Sequence, residues 1–125
     1  MAWIEYNPNP TQSKRTGDCA VRAVAKAIDS DWETAYLNLC LNGFSMGDLP
    51  NANIVIASVL RQHGYKRMDI PTRCPDCMTV AEFCNEFPDG KYVVRTDEHI
   101  VAIENGDYYD SWDSGDEIVV FAWGK

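Results

Sequence analysis

The spacing of apolar positions changes at Pro88-Asp89-Gly90. Before that turn, apolar residues fall in longer stretches bounded by helix start and stop signals. After it they gather in short runs rich in β-branched and aromatic residues. The first stretch, Cys19-Ala20-Val21-Arg22-Ala23-Val24, predicts a helix from Asp18 or Cys19 to Ile28, with Asp18 at the N-cap. Ser30-Asp31-Trp32-Glu33 has the S-x-x-E capping pattern and predicts a second helix through about Leu39, followed by a loop from Gly43 to Pro50. Ala52 to Gly64 predicts a third helix with Gly64 as its stop. Thr79-Val80-Ala81-Glu82 repeats the capping pattern and opens a short fourth helix. Residues 1–17 predict an irregular entry, turn-rich at Asn7-Pro8-Asn9-Pro10-Thr11.

The last third predicts strands over Tyr92-Val93-Val94-Arg95, Ile100-Val101-Ala102-Ile103, Tyr108-Tyr109-Asp110-Ser111-Trp112 and Ile118 to Trp123. Asn105-Gly106 suits a two-residue hairpin turn, because both central residues of a type I′ turn need positive φ. That turn sets Glu104 opposite Asp107 and brings His99 close to Asp110, Ser111 and Trp112. A slip of one residue would reverse every face. The expected fold is α+β: N-terminal helices packed on a C-terminal antiparallel sheet, in a single domain over residues 1–125.

Composition narrows the function classes. A formal charge of −8 argues against nucleic acid, which demands clustered Lys and Arg. It also favours basic or neutral substrates over strongly acidic ones. No apolar run is long enough for a bilayer span, and Met1-Ala2-Trp3-Ile4-Glu5 lacks the basic and apolar regions of a signal peptide. Five cysteines, an odd count, are then expected as mostly reduced thiols in a cytoplasm.

Three residues outline a reactive constellation. Cys19 stands at a helix mouth, where unpaired N–H groups and the macrodipole favour thiolate. His99 opens a strand and can exchange the thiol proton; Asp110, on the next strand, can orient the imidazole. Asp113 is the rival orienting acid. Asp97 and Glu98 precede His99 and are expected to raise its pKa. The bland counterparts are a buried core cysteine at position 19 and an edge-strand charge at position 110. His63, before Gly64, fits a helix-end residue.

The order of these residues resembles the papain-like cysteine peptidases, in particular the compact phage and bacterial kind similar to bacteriocin-processing double-glycine peptidases. Cys19 opens the helix, His99 opens His99-Ile100-Val101-Ala102, and Asp110-Ser111-Trp112 resembles the Asn-Ser-Trp of papain. The resemblance implies a papain-like fold and a cysteine-dependent hydrolase, a peptidase or amidase working through a thioester. It also implies a peptide or protein substrate, no cofactor and a monomer in a bacterial cytoplasm, or in the host cytoplasm if phage-encoded. It further implies an amide donor to the oxyanion upstream of the nucleophile, for which Gln12, Asn9 and Asn7 are candidates beside the Cys19 backbone N–H. Gln12 lies one residue further upstream than the papain pattern, and Asp18-Cys19-Ala20 replaces Gly-Ser-Cys-Trp. Two other readings stay open: a non-catalytic papain-fold binding protein of phage or bacterial origin, and an acyltransferase or transglutaminase-like enzyme using the same triad.

Cys74-Pro75-Asp76-Cys77 forms a second group. Cys74, Cys77 and Cys84 are weak zinc candidates, since a second C-x-x-C or a histidine pair is missing. A redox or disulfide pair and ordinary loop and core thiols are the other readings, and no metal site is expected. Trp32, Tyr36, Trp112, Phe121 and Trp123 are expected to face a core, with Trp112 also covering the His99–Asp110 bond. Arg22 and Lys26 form one strip expected to meet the chain's own carboxylates. The loops Gly43 to Asn51 and Tyr65 to Cys77 are expected to border the cleft.

Overall fold

The computed structural model describes residues 2–125. Among them, four helices and six strands run β1 (Ala2–Glu5), α1 (Cys19–Ala27), α2 (Trp32–Met46), α3 (Asn53–Gln62), β2 (Lys66–Met68), α4 (Val80–Glu86), β3 (Lys91–Arg95), β4 (Ile100–Glu104), β5 (Asp107–Asp110) and β6 (Phe121–Gly124). The protein is α+β, and one sheet in the order β1-β5-β4-β3-β6-β2 organises it. The expected antiparallel sheet is in fact mixed: β1 pairs parallel with β5, and every other pairing is antiparallel.

The strand pattern of alternating faces builds two cores. Val93, Ile100, Ala102 and Trp123 face α1, α2 and α3, where they meet Val24, Leu39, Ile56 and Leu60. Val94, Val101, Ile103 and Ala122 point the other way and pack with Val80, Phe83 and Cys84 of α4. The helices therefore flank the sheet on both sides. Helix α1, wedged between the sheet and two other helices, is buried almost all round: Ala20, Val21, Ala23, Val24, Ala25 and Ala27 are covered, and so is Arg22 on its polar strip.

Local signals explain most boundaries. Asn105 and Gly106 have φ of 50° and 81°, as the predicted turn requires, and the pairs Glu104–Asp107, Ile103–Tyr108 and Ala102–Tyr109 follow from it. Thr79 caps α4 with both halves of the capping box formed. In α2 the cap is Asp31, not Ser30; its carboxylate accepts the Thr34 N–H at 2.8 Å.

Helix α2 also runs past Leu39 to Met46, so the expected loop at Gly43 begins instead at Gly47, whose φ of 71° closes the helix. Gly43 is kept inside the helix because residues 48–50 cross it closely; a Cβ there would stand 2.8 Å from the Asp48 carbonyl oxygen.

β1 and β2 fall in segments predicted as irregular or loop. Both are edge strands. β1 is exposed along its length, and β2 carries Lys66 and Arg67, so neither has an apolar alternation to reveal it. Ile118 to Val120 precede the β6 ladder; Ile118 forms an isolated bridge to Thr79, and the Val120 N–H donates to the Arg95 carbonyl oxygen at 2.7 Å. Of the aromatics expected inside, Trp123 is buried, whereas Tyr36 and Trp112 are 46% and 44% exposed. Tyr36 instead stacks on Trp32 with ring centroids 5.0 Å apart. None of the helices is long and apolar enough to cross a membrane.

Candidate active site

Cys19 is the first residue of α1, and α1 is held against β4 by the first core. The thiol therefore sits at the positive end of the helix, over the start of β4. Asp18 occupies the cap position but makes no side-chain bond to the first-turn N–H groups. His99 immediately precedes β4, and the 105–106 hairpin carries β5 back so that Asp110 ends beside it. The His99 Nε2 lies 2.5 Å from the Asp110 Oδ2. That leaves Nδ1 as the ring nitrogen for the sulfur.

The pKa directions agree with this arrangement. Burial pushes the Cys19 thiol up, but hydrogen bonding to His99, its charge, Arg22 and the Ile100 backbone N–H together bring it below the usual thiol value. Burial likewise disfavours a charged His99, yet bonds to Asp110 and Cys19 push it up to about 9. A thiolate–imidazolium pair satisfies both. Asp97 and Glu98, expected to raise His99, are exposed turn residues; Asp110 and Cys19 do it instead.

Asp110 is itself locked. Its Oδ2 also accepts the Ser114 hydroxyl at 2.7 Å, its Oδ1 accepts the Ser111 N–H at 2.8 Å, and its carbonyl oxygen accepts from the Trp3 indole and the Tyr6 N–H. Strand β1, absent from the sequence reading, thus helps to hold the acid. Asp113, the rival, accepts instead from the Tyr108 hydroxyl and the Gly115 N–H. The Trp112 ring lies beside that of His99, with centroids 4.9 Å apart and planes tilted by 38°.

The buried cation is the main residue the sequence undervalued. Arg22 is 6% exposed and reaches both Asp18, in an i,i+4 ion pair, and Asp110, at 3.7 Å. The Asp18 carboxylate also accepts from Asn9 at 3.0 Å and the Trp32 indole at 2.9 Å. The four-residue spacing of Asp18 and Arg22 was the available signal. Lys26 on the same strip meets Glu104 at 3.1 Å, as expected of it.

The amide candidates are occupied otherwise. Gln12 donates to the carbonyl oxygens of Asn7 and Asn9, at 3.0 and 2.9 Å, which uses both its N–H groups. Asn7 donates to the Ser13 carbonyl oxygen, and Asn9 is buried on Asp18 while its oxygen accepts from Thr11. All three build the entry loop. The Cys19 backbone N–H is then the donor best placed beside the sulfur.

The C-x-x-C residues are neither reduced nor arranged for zinc: Cys74 and Cys77 form a disulfide. Cys84 is buried in the second core, where burial pushes its thiol up to about 11. No cluster of three metal-ligating side chains occurs among the described residues. Cys19 and Cys40 are the half-buried free thiols. His63 caps α3 and bonds the Val59 carbonyl oxygen at 3.0 Å, a helix-end role. Compared with family models, curated proteins and solved structures, the chain matches none.

Proposed function

We propose that this protein is a papain-like cysteine hydrolase, a peptidase or amidase, with Cys19 as nucleophile, His99 as general acid and base, and Asp110 as the orienting acid. The observation that carries the reading is the His99–Asp110 contact of 2.5 Å behind a thiol whose pKa is lowered by the same imidazole.

The thiolate of Cys19 attacks the substrate carbonyl carbon, and the developing oxyanion accepts the Cys19 backbone N–H. His99 gives its Nδ1 proton to the leaving amine, the C–N bond breaks, and a thioester remains on the sulfur. A water then attacks that thioester while His99 takes its proton. The C–S bond breaks, the acid product leaves, and the thiolate–imidazolium pair is restored. Asp110, pinned by Ser111 and Ser114, keeps the ring oriented throughout. The chemistry needs no cofactor.

The test is a complex peptide mixture incubated with wild-type protein and with Cys19→Ala, with new termini and acid-trapped acyl adducts read by mass spectrometry. Cleavage and a Cys19 adduct in wild type alone support the reading. Acyl transfer to an added amine in preference to water indicates the transferase. No cleavage, no adduct and a Cys19 no more reactive than Cys40 would leave a binding protein.

A further inference from the structure

A surface concavity lies apart from Cys19, His99 and Asp110, none of which lines it. Its volume is about 490 Å³, and it opens between α2, α3 and the β6–β2 edge. Phe121, Trp123, Ile54 and Met46 supply an apolar wall, and Arg61 and Arg67 stand at it with their guanidinium groups. Arg67 lies over the Phe121 ring, 4.3 Å from its centroid. This is an odd use of cations in a chain of net charge −8. Lys14, Arg22, Lys26 and Lys91 have carboxylate partners; among the described residues Arg61 and Arg67, like Arg15, Lys66, Arg73, Arg95 and Lys125, have none, and these two share one groove.

The register ties this groove to Cys19. Arg95 pairs with Ile100 on one side and with Phe121 on the other, and the Ile100 N–H is the group that bonds the Cys19 sulfur. Phe121 and Cys19 both pack on the α1–α3 face of the sheet. Two strand spacings, about 10 Å, therefore separate the Ile100 and Phe121 positions. An extended peptide covers that distance in about three residues.

We propose that the groove binds an acidic side chain of a peptide, next to an apolar residue, about three residues from the bond presented to Cys19. The carboxylate pairs with Arg61 and Arg67, and the neighbouring apolar side chain covers Phe121 and Ile54. The overall negative charge disfavours acidic ligands at long range, but this pair of free cations reverses the preference locally. The position relative to the scissile bond rests on the hydrolase reading; the binding preference does not.

The experiment uses full-length Cys19→Ala protein and fluorescein-labelled octapeptides of Ala and Gly carrying one Glu-Leu pair at each position in turn, with Gln-Leu counterparts. At low salt the Glu peptides are expected to bind about five- to tenfold more tightly than the Gln peptides, as exposed Arg–carboxylate pairs permit. Arg61→Gln/Arg67→Gln, at two exposed positions, removes the difference and leaves the fold unchanged by circular dichroism. Equal binding of Glu and Gln peptides, or a preference that survives the double substitution, overturns the proposal. So does displacement by an oligothymidylate at the concentration of the Glu peptide, which would make the groove a general anion site. Rapid Cys19 alkylation in the wild-type protein without a Glu preference removes the groove and keeps the hydrolase. A Glu preference with an inert Cys19 does the reverse.

Discussion

Replacement of His99 by Ala is the sharpest probe of the site, because it removes the imidazolium from Cys19. An ordinary thiol of pKa ~8.5 is only about 0.3% ionised at pH 6. Each tenfold gain in thiolate raises the alkylation rate less than tenfold, since per-thiolate reactivity falls about threefold as the thiol becomes more acidic. The net gain is about threefold per step and reaches roughly 15-fold at full ionisation. The assay is iodoacetamide labelling at pH 6 and pH 9.5 with site-resolved mass spectrometry. Taking the ratio of the two rates for one cysteine cancels its accessibility. An ordinary thiol slows about 300-fold between those pH values. Cys19, whose thiol is held below the usual value, is expected to slow several times less than that in the wild type and to move toward the ordinary figure in His99→Ala. Asp110→Asn is expected to change the ratio by about twofold, since an amide still orients the ring. Cys40 is the internal reference, and the disulfide keeps Cys74 and Cys77 out of the reaction. A Cys19 ratio equal to that of Cys40, unmoved by His99→Ala, would refute the ion pair and with it the nucleophile assignment.

Three further outcomes follow from the same geometry. Arg22→Met leaves the buried Asp18 carboxylate without its cation, while Asp110 keeps His99, and is expected to cost about 3–5 kcal/mol in urea unfolding; a loss under about 1 kcal/mol would mean that the Asp18–Arg22 pair carries no weight. His99 is raised from 6.5 to about 9, so its protonated form stabilises the fold fully below pH 6.5, and that contribution fades as pH rises toward 9. The stability gap between wild type and His99→Gln is therefore expected to shrink over that window, and a gap that widens would reverse the assignment. Gly43→Ala gains about 1 kcal/mol of helix propensity but drives a methyl into the Asp48 carbonyl oxygen, and a net loss of about 1–3 kcal/mol is expected by thermal melting.

The elements readable from the sequence are those whose signals are local. The Thr79 capping box, the Asn105-Gly106 turn and the stop at Gly64 act through their own backbone, and each appears where predicted. The hairpin alone brought His99 to Asp110, because a two-residue turn dictates the register of the strands it joins. Cys19 was legible as a helix-mouth thiol for the same reason.

Long-range contacts decided the rest. Helix α2 outruns its predicted end because Leu39 and Gly43 find the core and the 48–50 crossing, a partner that no local pattern encodes. Gln12, Asn9 and Asn7 are amides in a suitable place along the chain, but the folded loop spends their hydrogen bonds on itself. Strand β1 joins the sheet in parallel next to β5, and only that pairing sets Trp3 and Tyr6 on the Asp110 carbonyl oxygen. The choice of Asp110 over Asp113, the burial of Arg22 between two acids, and the free arginines beside Phe121 are also tertiary facts. Sequence determined which residue types stand at helix mouths, turns and strand ends, since those depend on backbone groups a few residues away. Which of those side chains meet depended on closing the chain over a hundred residues, where burial and pairing, not propensity, select the partner.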